Sequence, residues 1–193
     1  MGFRVSVLLS LFLVPTLVVA QHVEIGVFGN YSRQDLPNAA QNLFGLGGRA
    51  DLNVSRIIQL EAEAAYDFKY PHVVVSTLPN TAIINTTKLG VLHANAGLKF
   101  QTPGGSFFGF IKGGVNKYDT ETMVQTVNAI PAGIVTVQFP DSSFCKGVLY
   151  PGAGIGFHAG PLGIRLDAGD EITWINGAAH NSLRITFGPT FRF

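Results

Sequence analysis

The sequence predicts an all-β chain closed as an eight-stranded antiparallel up-and-down barrel that spans a membrane with its strands. Three observations predict it. First, the final stretch places Leu183, Ile185, Phe187, Pro189, Phe191 and Phe193 against Arg184, Thr186, Gly188, Thr190 and Arg192. Strict two-residue alternation gives a strand with one apolar and one polar face. Second, 47% of residues are hydrophobic and only 13% charged, about half the ~25% usual in a soluble domain. Third, beyond residue 20 no apolar run approaches the ~18 residues of a spanning helix. A barrel with lipid outside and a polar lumen hides its apolar character in alternation.

The N-terminus reads separately. Met1 to Ala20 carries one positive charge, Arg4, then an apolar run from Val5 to Val14, and closes on Val18, Val19 and Ala20. This is the pattern of a secretory signal peptide, with cleavage expected between Ala20 and Gln21. The barrel domain is then 21–193. Without Arg4 the chain holds twelve basic and twelve acidic residues, so nothing favours a nucleic-acid partner.

Eight segments alternate. Val23 to Tyr31 sets Val23, Ile25 and Val27 against Glu24, Gly26 and Asn30. Leu46 to Val54 sets Leu46, Ala50 and Leu52 against Arg49, Asp51 and Asn53. Ile58 to Phe68 is the cleanest: Ile58, Leu60, Ala62, Ala64, Tyr66 and Phe68 alternate with Gln59, Glu61, Glu63, Ala65 and Asp67. Leu92 to Gln101 turns His93, Asn95 and Lys99 inward. Phe107 to Asn116 points Lys112 and Asn116 inward, which forces Phe108 and Phe110 inside with them. Val148 to Ala159 carries Gly152, Gly154 and Gly156 on the face of His158. Ile164 to Trp174 turns Arg165, Asp167, Glu171 and Thr173 inward, and the terminal segment is the eighth.

Connections alternate in length. Short turns fall at 55–57, 102–106 and 160–163, and longer loops follow the first, third, fifth and seventh strands. In outer-membrane barrels short turns are periplasmic and long loops extracellular. The loops at 69–89 and 117–147 are β-prone, and each reads as a hairpin. They are the candidate contacts for an extracellular ligand, because a hairpin standing above the membrane exposes a strand edge.

By this register thirteen charged side chains point inward. Arg49, Lys99, Lys112, Arg165, Arg184 and Arg192 balance Glu24, Asp51, Glu61, Glu63, Asp67, Asp167 and Glu171. Eight strands leave a bore that side chains fill, and opposite charges in it should pair. The expected core is an ion-pair network of Glu61, Glu63, Asp67, Arg49, Lys99, Arg165, Asp167 and Arg184. A one-signed lumen would have favoured the alternative, a small pore for ions or small molecules. Glycines 152, 154 and 156 relieve crowding on the inward face; the competing reading is a ligand cavity beneath them.

On the strand pattern, the Gly-Ala-Gly-Ile-Gly stretch at 152–156, Arg165-Leu-Asp167 and the Phe-Arg-Phe end, the chain resembles the small eight-stranded outer-membrane barrels. These are the OmpA transmembrane domain, OmpX and OmpW-like proteins. The resemblance covers the whole of 21–193. It implies an outer-membrane location, outer-membrane lipid as the surrounding partner, and a structural or surface-interacting role. It also implies that the closing aromatic residues, Phe187, Phe191 and Phe193, form an assembly signal read by the barrel-insertion machinery.

The catalytic classes find little support. A lipid-hydrolysing barrel needs a lipid-facing Ser and His with an acid to orient the base. His180 and Ser182 have the spacing to share a face, but no Asp or Glu follows them. His22, His72, His93 and His158 stand singly, without metal-ligand spacing. Cys145, the one cysteine, reads as an incidental loop residue. No enzyme activity, metal or cofactor is expected.

Overall fold

The computed structural model describes residues 23–193 apart from 37–38, 105, 130–131 and 176. The expected signal peptide and its cleavage site lie outside the described residues. Nine strand segments follow one another: β1 (Val23–Leu36), β2 (Ala39–Asn53), β3 (Ile58–Leu78), β4 (Thr81–Gln101), β5 (Phe107–Ala129), β6 (Ala132–Gln138), β7 (Ser142–Ala159), β8 (Leu162–Ile175) and β9 (Ala178–Arg192). Each barrel strand pairs antiparallel with the next, and β1 pairs with β9 to close the wall. At the seam Phe193 N–H donates to the Val23 carbonyl at 2.9 Å.

Nine segments make eight wall strands. β6 and β7 both lie along the same edge of β5, β6 above β7. The register slips by one residue between them, across Phe139, Pro140 and Asp141. Pro140 has no N–H for a ladder, so the chain bulges there and resumes. A second one-residue slip falls on β3 between Asp67 and Tyr70.

Every segment read from alternation forms a wall strand with the predicted side inward. The lower sections follow the two-residue rule closely, with β3 alternating buried and exposed from Gln59 to Phe68. Outward side chains form an apolar belt. Phe100, Phe107, Phe157, Phe191 and Phe193 are exposed toward the short-turn end; Phe44, Phe68, Tyr70 and Trp174 are exposed toward the other. Between these two rings each strand crosses in roughly ten residues, the length a tilted spanning strand needs.

The strand ends differ from the reading of the sequence. The expected first loop shrinks to the two positions between Leu36 and Ala39. The expected fourth loop is a tight turn at Gly177, whose φ of 81° suits glycine. His180 and Ser182 therefore sit in β9, and Cys145, expected in a loop, is an exposed residue of β7. The regions 69–89 and 117–147 are hairpins as expected, but as unbroken continuations of the wall. β3, β4 and β5 run 21, 21 and 23 residues. Above the lipid both faces of a strand meet water, so no alternation marks its extent.

The result is an uneven rim. β8 and β9 end low. β3 pairs with β4 up to Leu78 opposite Thr81, β4 with β5 up to Asn128, and β5 with β6 from Met123 upward. A four-stranded sheet thus stands above the membrane, in the order β3, β4, β5, β6.

Candidate functional site

Two places concentrate unusual chemistry: the bore of the barrel and the sheet above it. Inside, the β-strand parity of eight segments delivers the charged residues to one axis. Twelve of the thirteen inward charges are buried, and Arg192 at the short-turn mouth is the exception.

The predicted residues meet in one connected network. Arg165 reaches Glu61 at 2.8 Å, Asp167 at 2.7 Å and Asp51 at 3.0 Å. Asp167 also accepts from Arg49, which donates further to Thr186 Oγ1 at 2.9 Å. Lys99 donates to Asp51 at 3.1 Å. Lys112 bridges Glu61 and Glu63, 2.6 Å from each. Arg184 joins Glu63 at 2.6 Å to Glu171 at 3.0 Å, and its Nε donates to Asn30 at 2.7 Å. Asp67 lies one layer higher, accepting from Asn30 and Ser32, each at 2.5 Å. Buried ions need several partners each to offset lost hydration, and this bore supplies them.

Some members have no signal in the sequence beyond parity. His93 lies 3.1 Å from both Asp67 and Glu171, residues far from it along the chain. Phe28, Phe108, Phe110 and Tyr150 also turn inward and lie against the cations. The Arg49 guanidinium is 4.3 Å from the Phe28 ring centre, that of Arg165 4.4 Å from Phe108, and the Lys112 ammonium 4.3 Å from Phe110. Such contacts stabilise a desolvated cation.

These rings also settle the glycine stretch. A Cβ on Gly152 would stand 2.3 Å from the Phe110 ring, and one on Gly154 equally close to Phe108. The rings occupy the space that a ligand under these glycines would need. The glycines admit aromatic slabs, not a guest.

Above the network the bore mixes apolar side chains with buried Ser32, Gln34, Thr173 and Ser182. Leu43, Leu89, Val91 and Tyr118 form a buried cluster across it, and Tyr118 stacks on Phe144 with ring centres 5.0 Å apart. At the opposite mouth Arg192 and His158 both approach Glu24, at 2.8 and 3.3 Å. Ser182 is buried and donates to Gln34 at 3.1 Å. It therefore faces the bore, not lipid, and His180 with Ser182 makes no nucleophile and base at the membrane.

The sheet above contrasts with the bore. At its base on the outer face, Lys69 and Lys88 flank Glu121, at 2.5 and 3.6 Å. The Lys69 hydrogen bond holds the Glu121 carboxyl below the usual range. Beyond this row charge disappears. No Asp, Glu, Lys or Arg occurs between Pro71 and Thr87 or between Thr122 and Pro140. Val73, Val74, Val75, Leu78, Ile134, Val135 and Val137 are all exposed there. Among the described residues no group of His, Cys, Asp and Glu has the arrangement of a metal site.

No protein-family model and no curated protein matches the sequence. Solved structures do. Ail, the attachment invasion locus protein of Yersinia pestis, superposes in its complex with the heparin analogue sucrose octasulfate. The TM-score is 0.50 at 16% identity, over 90% of this chain and 97% of that one. Ail without the analogue gives 0.50 at 15% identity, over the same shares. The N-terminal β-barrel domain of Pseudomonas aeruginosa OprF gives 0.46 at 16% identity, over 89% and 97%. Closed wall, filled bore and apolar belt, together with the superposition on Ail, give this chain the fold of the small eight-stranded outer-membrane β-barrels.

Proposed function

We propose that this is an outer-membrane surface protein whose work is done by the projecting sheet, on a barrel that serves as a closed anchor. The observation that carries the reading is the division of chemistry along the strands. Inside the membrane every inward charge is spent on a partner, and an apolar cluster of Leu43, Leu89, Val91 and Tyr118 lies across the bore above them. Outside, β3 to β6 hold exposed valine, isoleucine and threonine with no charge. A surface of this kind on a rigid support suits binding through strand edges and apolar side chains. Against the alternative of a small pore stand the side chains that fill the bore and the cluster above them.

Delivery follows the expected route: a signal peptide cut between Ala20 and Gln21, then insertion guided by Phe187, Phe191 and Phe193. The Ail superposition suggests surface attachment as the kind of role, but not sulfated sugar as the ligand. A polyanion needs clustered cations, and the upper sheet has none.

The test replaces 71–87 and 122–140 with short turns and keeps the barrel. Vesicles carrying the whole chain should adhere to cultured cell monolayers, and vesicles carrying the shortened chain should not. Equal adherence by both would reject the reading.

A further inference from the structure

The upper sheet has two outer strands, and they are not equally open. The edge of β3 is fronted by the β1–β2 hairpin up to His72, above which 73–78 is open. A cleft between them is lined by Ala40, Gln41, Asn42, Leu43, Tyr70, Pro71 and His72, and Pro71 removes one edge donor. β6 has neither guard. β7 begins pairing with β8 only at Val148 opposite Thr173, and β8 stops at Ile175. The side of β6 away from β5 therefore faces open space above the low rim. Natural proteins blunt such an edge with charge, proline or a covering segment. Here the strand interior, Gly133 to Gln138, contains neither charge nor proline.

The phase of the edge is fixed by one hydrogen bond. Phe139 N–H donates to the Thr122 carbonyl at 3.0 Å. Odd-numbered residues of β6 thus turn their backbone groups to β5, and Ile134, Thr136 and Gln138 turn theirs outward.

We infer that β6 pairs with β6 of a second copy of this chain, antiparallel about a two-fold axis through Thr136, joining proteins in two facing membranes. This rests on the surface-binding reading above and adds a partner to it, a copy of this chain. Three features select it. A two-fold contact sets each residue near its own kind, so a single charge would repel itself; there is none. In register, Thr136 opposes Thr136 and Ile134 opposes Gln138, giving about six backbone hydrogen bonds from three outward-turned residues on each chain. On the other face Val135 opposes Val137, a pairing of β-branched side chains. Direction decides between membranes. A strand added beside β6 from a copy in the same membrane would continue downward into the place beside β7 that β8 already fills. A copy from an opposed membrane carries its barrel away at the far end.

The test uses vesicles of phosphatidylethanolamine and phosphatidylglycerol carrying the whole chain, with clustering read by turbidity. Wild-type vesicles should cluster. Thr136→Lys and Thr136→Glu, each alone, should cluster at least about tenfold more slowly, because like charges then meet across the axis. Mixing the two variants should restore clustering, since Lys then meets Glu. A heat-dependent gel shift equal to wild type confirms that each variant is folded. Clustering by Thr136→Lys at the wild-type rate, or a mixture that stays dispersed, would overturn the pairing. Wild-type vesicles that never cluster, yet lose monolayer adherence when the sheet is removed, would overturn this inference and leave the surface reading standing. If sheet removal changes neither assay, both fall.

Discussion

Arg165 shows what a single inward side chain does here. It holds Glu61, Asp51 and Asp167 at once, so its removal takes one cation from each of three buried carboxylates and leaves only Lys112, Lys99 and Arg49 to hold them. Arg165→Ala should destabilise the barrel by roughly 3–5 kcal/mol, read as a lower urea midpoint in vesicles; an unchanged midpoint would show that the carboxylates find other partners. Gly154 carries the opposite constraint. Its missing Cβ leaves room for the Phe108 ring, so Gly154→Val should cost about 1–3 kcal/mol through overpacking. Phe108→Ala in the same chain should recover part of that loss, and strict additivity would place the clash elsewhere. At this scale the sequence is half legible. Parity alone turned Glu61, Glu63, Arg165 and Arg184 inward, because a strand has only two faces. It could not say that Lys112 would bridge two glutamates, or that His93 would meet Asp67 and Glu171. Those contacts are set by barrel closure and by stagger between strands remote in sequence.

At the scale of the element, the terminal strand is the most readable and the upper hairpins the least. β9 alternates because lipid and lumen make opposite demands on its two sides. Deleting Phe193 removes one exposed aromatic from the interface, about 1–3 kcal/mol of burial, which a closed barrel tolerates. The truncated chain should refold in detergent nearly as well as the whole one, while its delivery to the outer membrane in cells falls. Normal delivery would remove the assembly role; failed refolding would make the residue structural. The hairpins of 69–89 and 117–147 were readable as β-structure from their valine, isoleucine and threonine content. Their lengths were not, because water on both faces imposes no period, and the slips at 67–70 and 139–141 reverse side-chain parity as the strands leave the membrane. Pro140 was the visible mark of the second slip. The first has no such mark.

For the whole molecule, the bore and the sheet differ in kind: one is packed with paired charges, the other is exposed and uncharged. The wall satisfies its backbone groups within itself, as lipid requires. Purified protein should therefore migrate differently on a gel before and after boiling, whereas identical mobility would argue against a closed barrel. The proposed surface role requires that the packed bore conduct nothing. Conductance across a planar bilayer tests it most directly. Inserted wild-type protein, verified by its heat-dependent gel shift, should give no steps above the leak of the bare membrane. Stable ohmic steps that scale with salt concentration would contradict it, and would mean that the ion pairs and the cluster of Leu43, Leu89, Val91 and Tyr118 open to a through-going path.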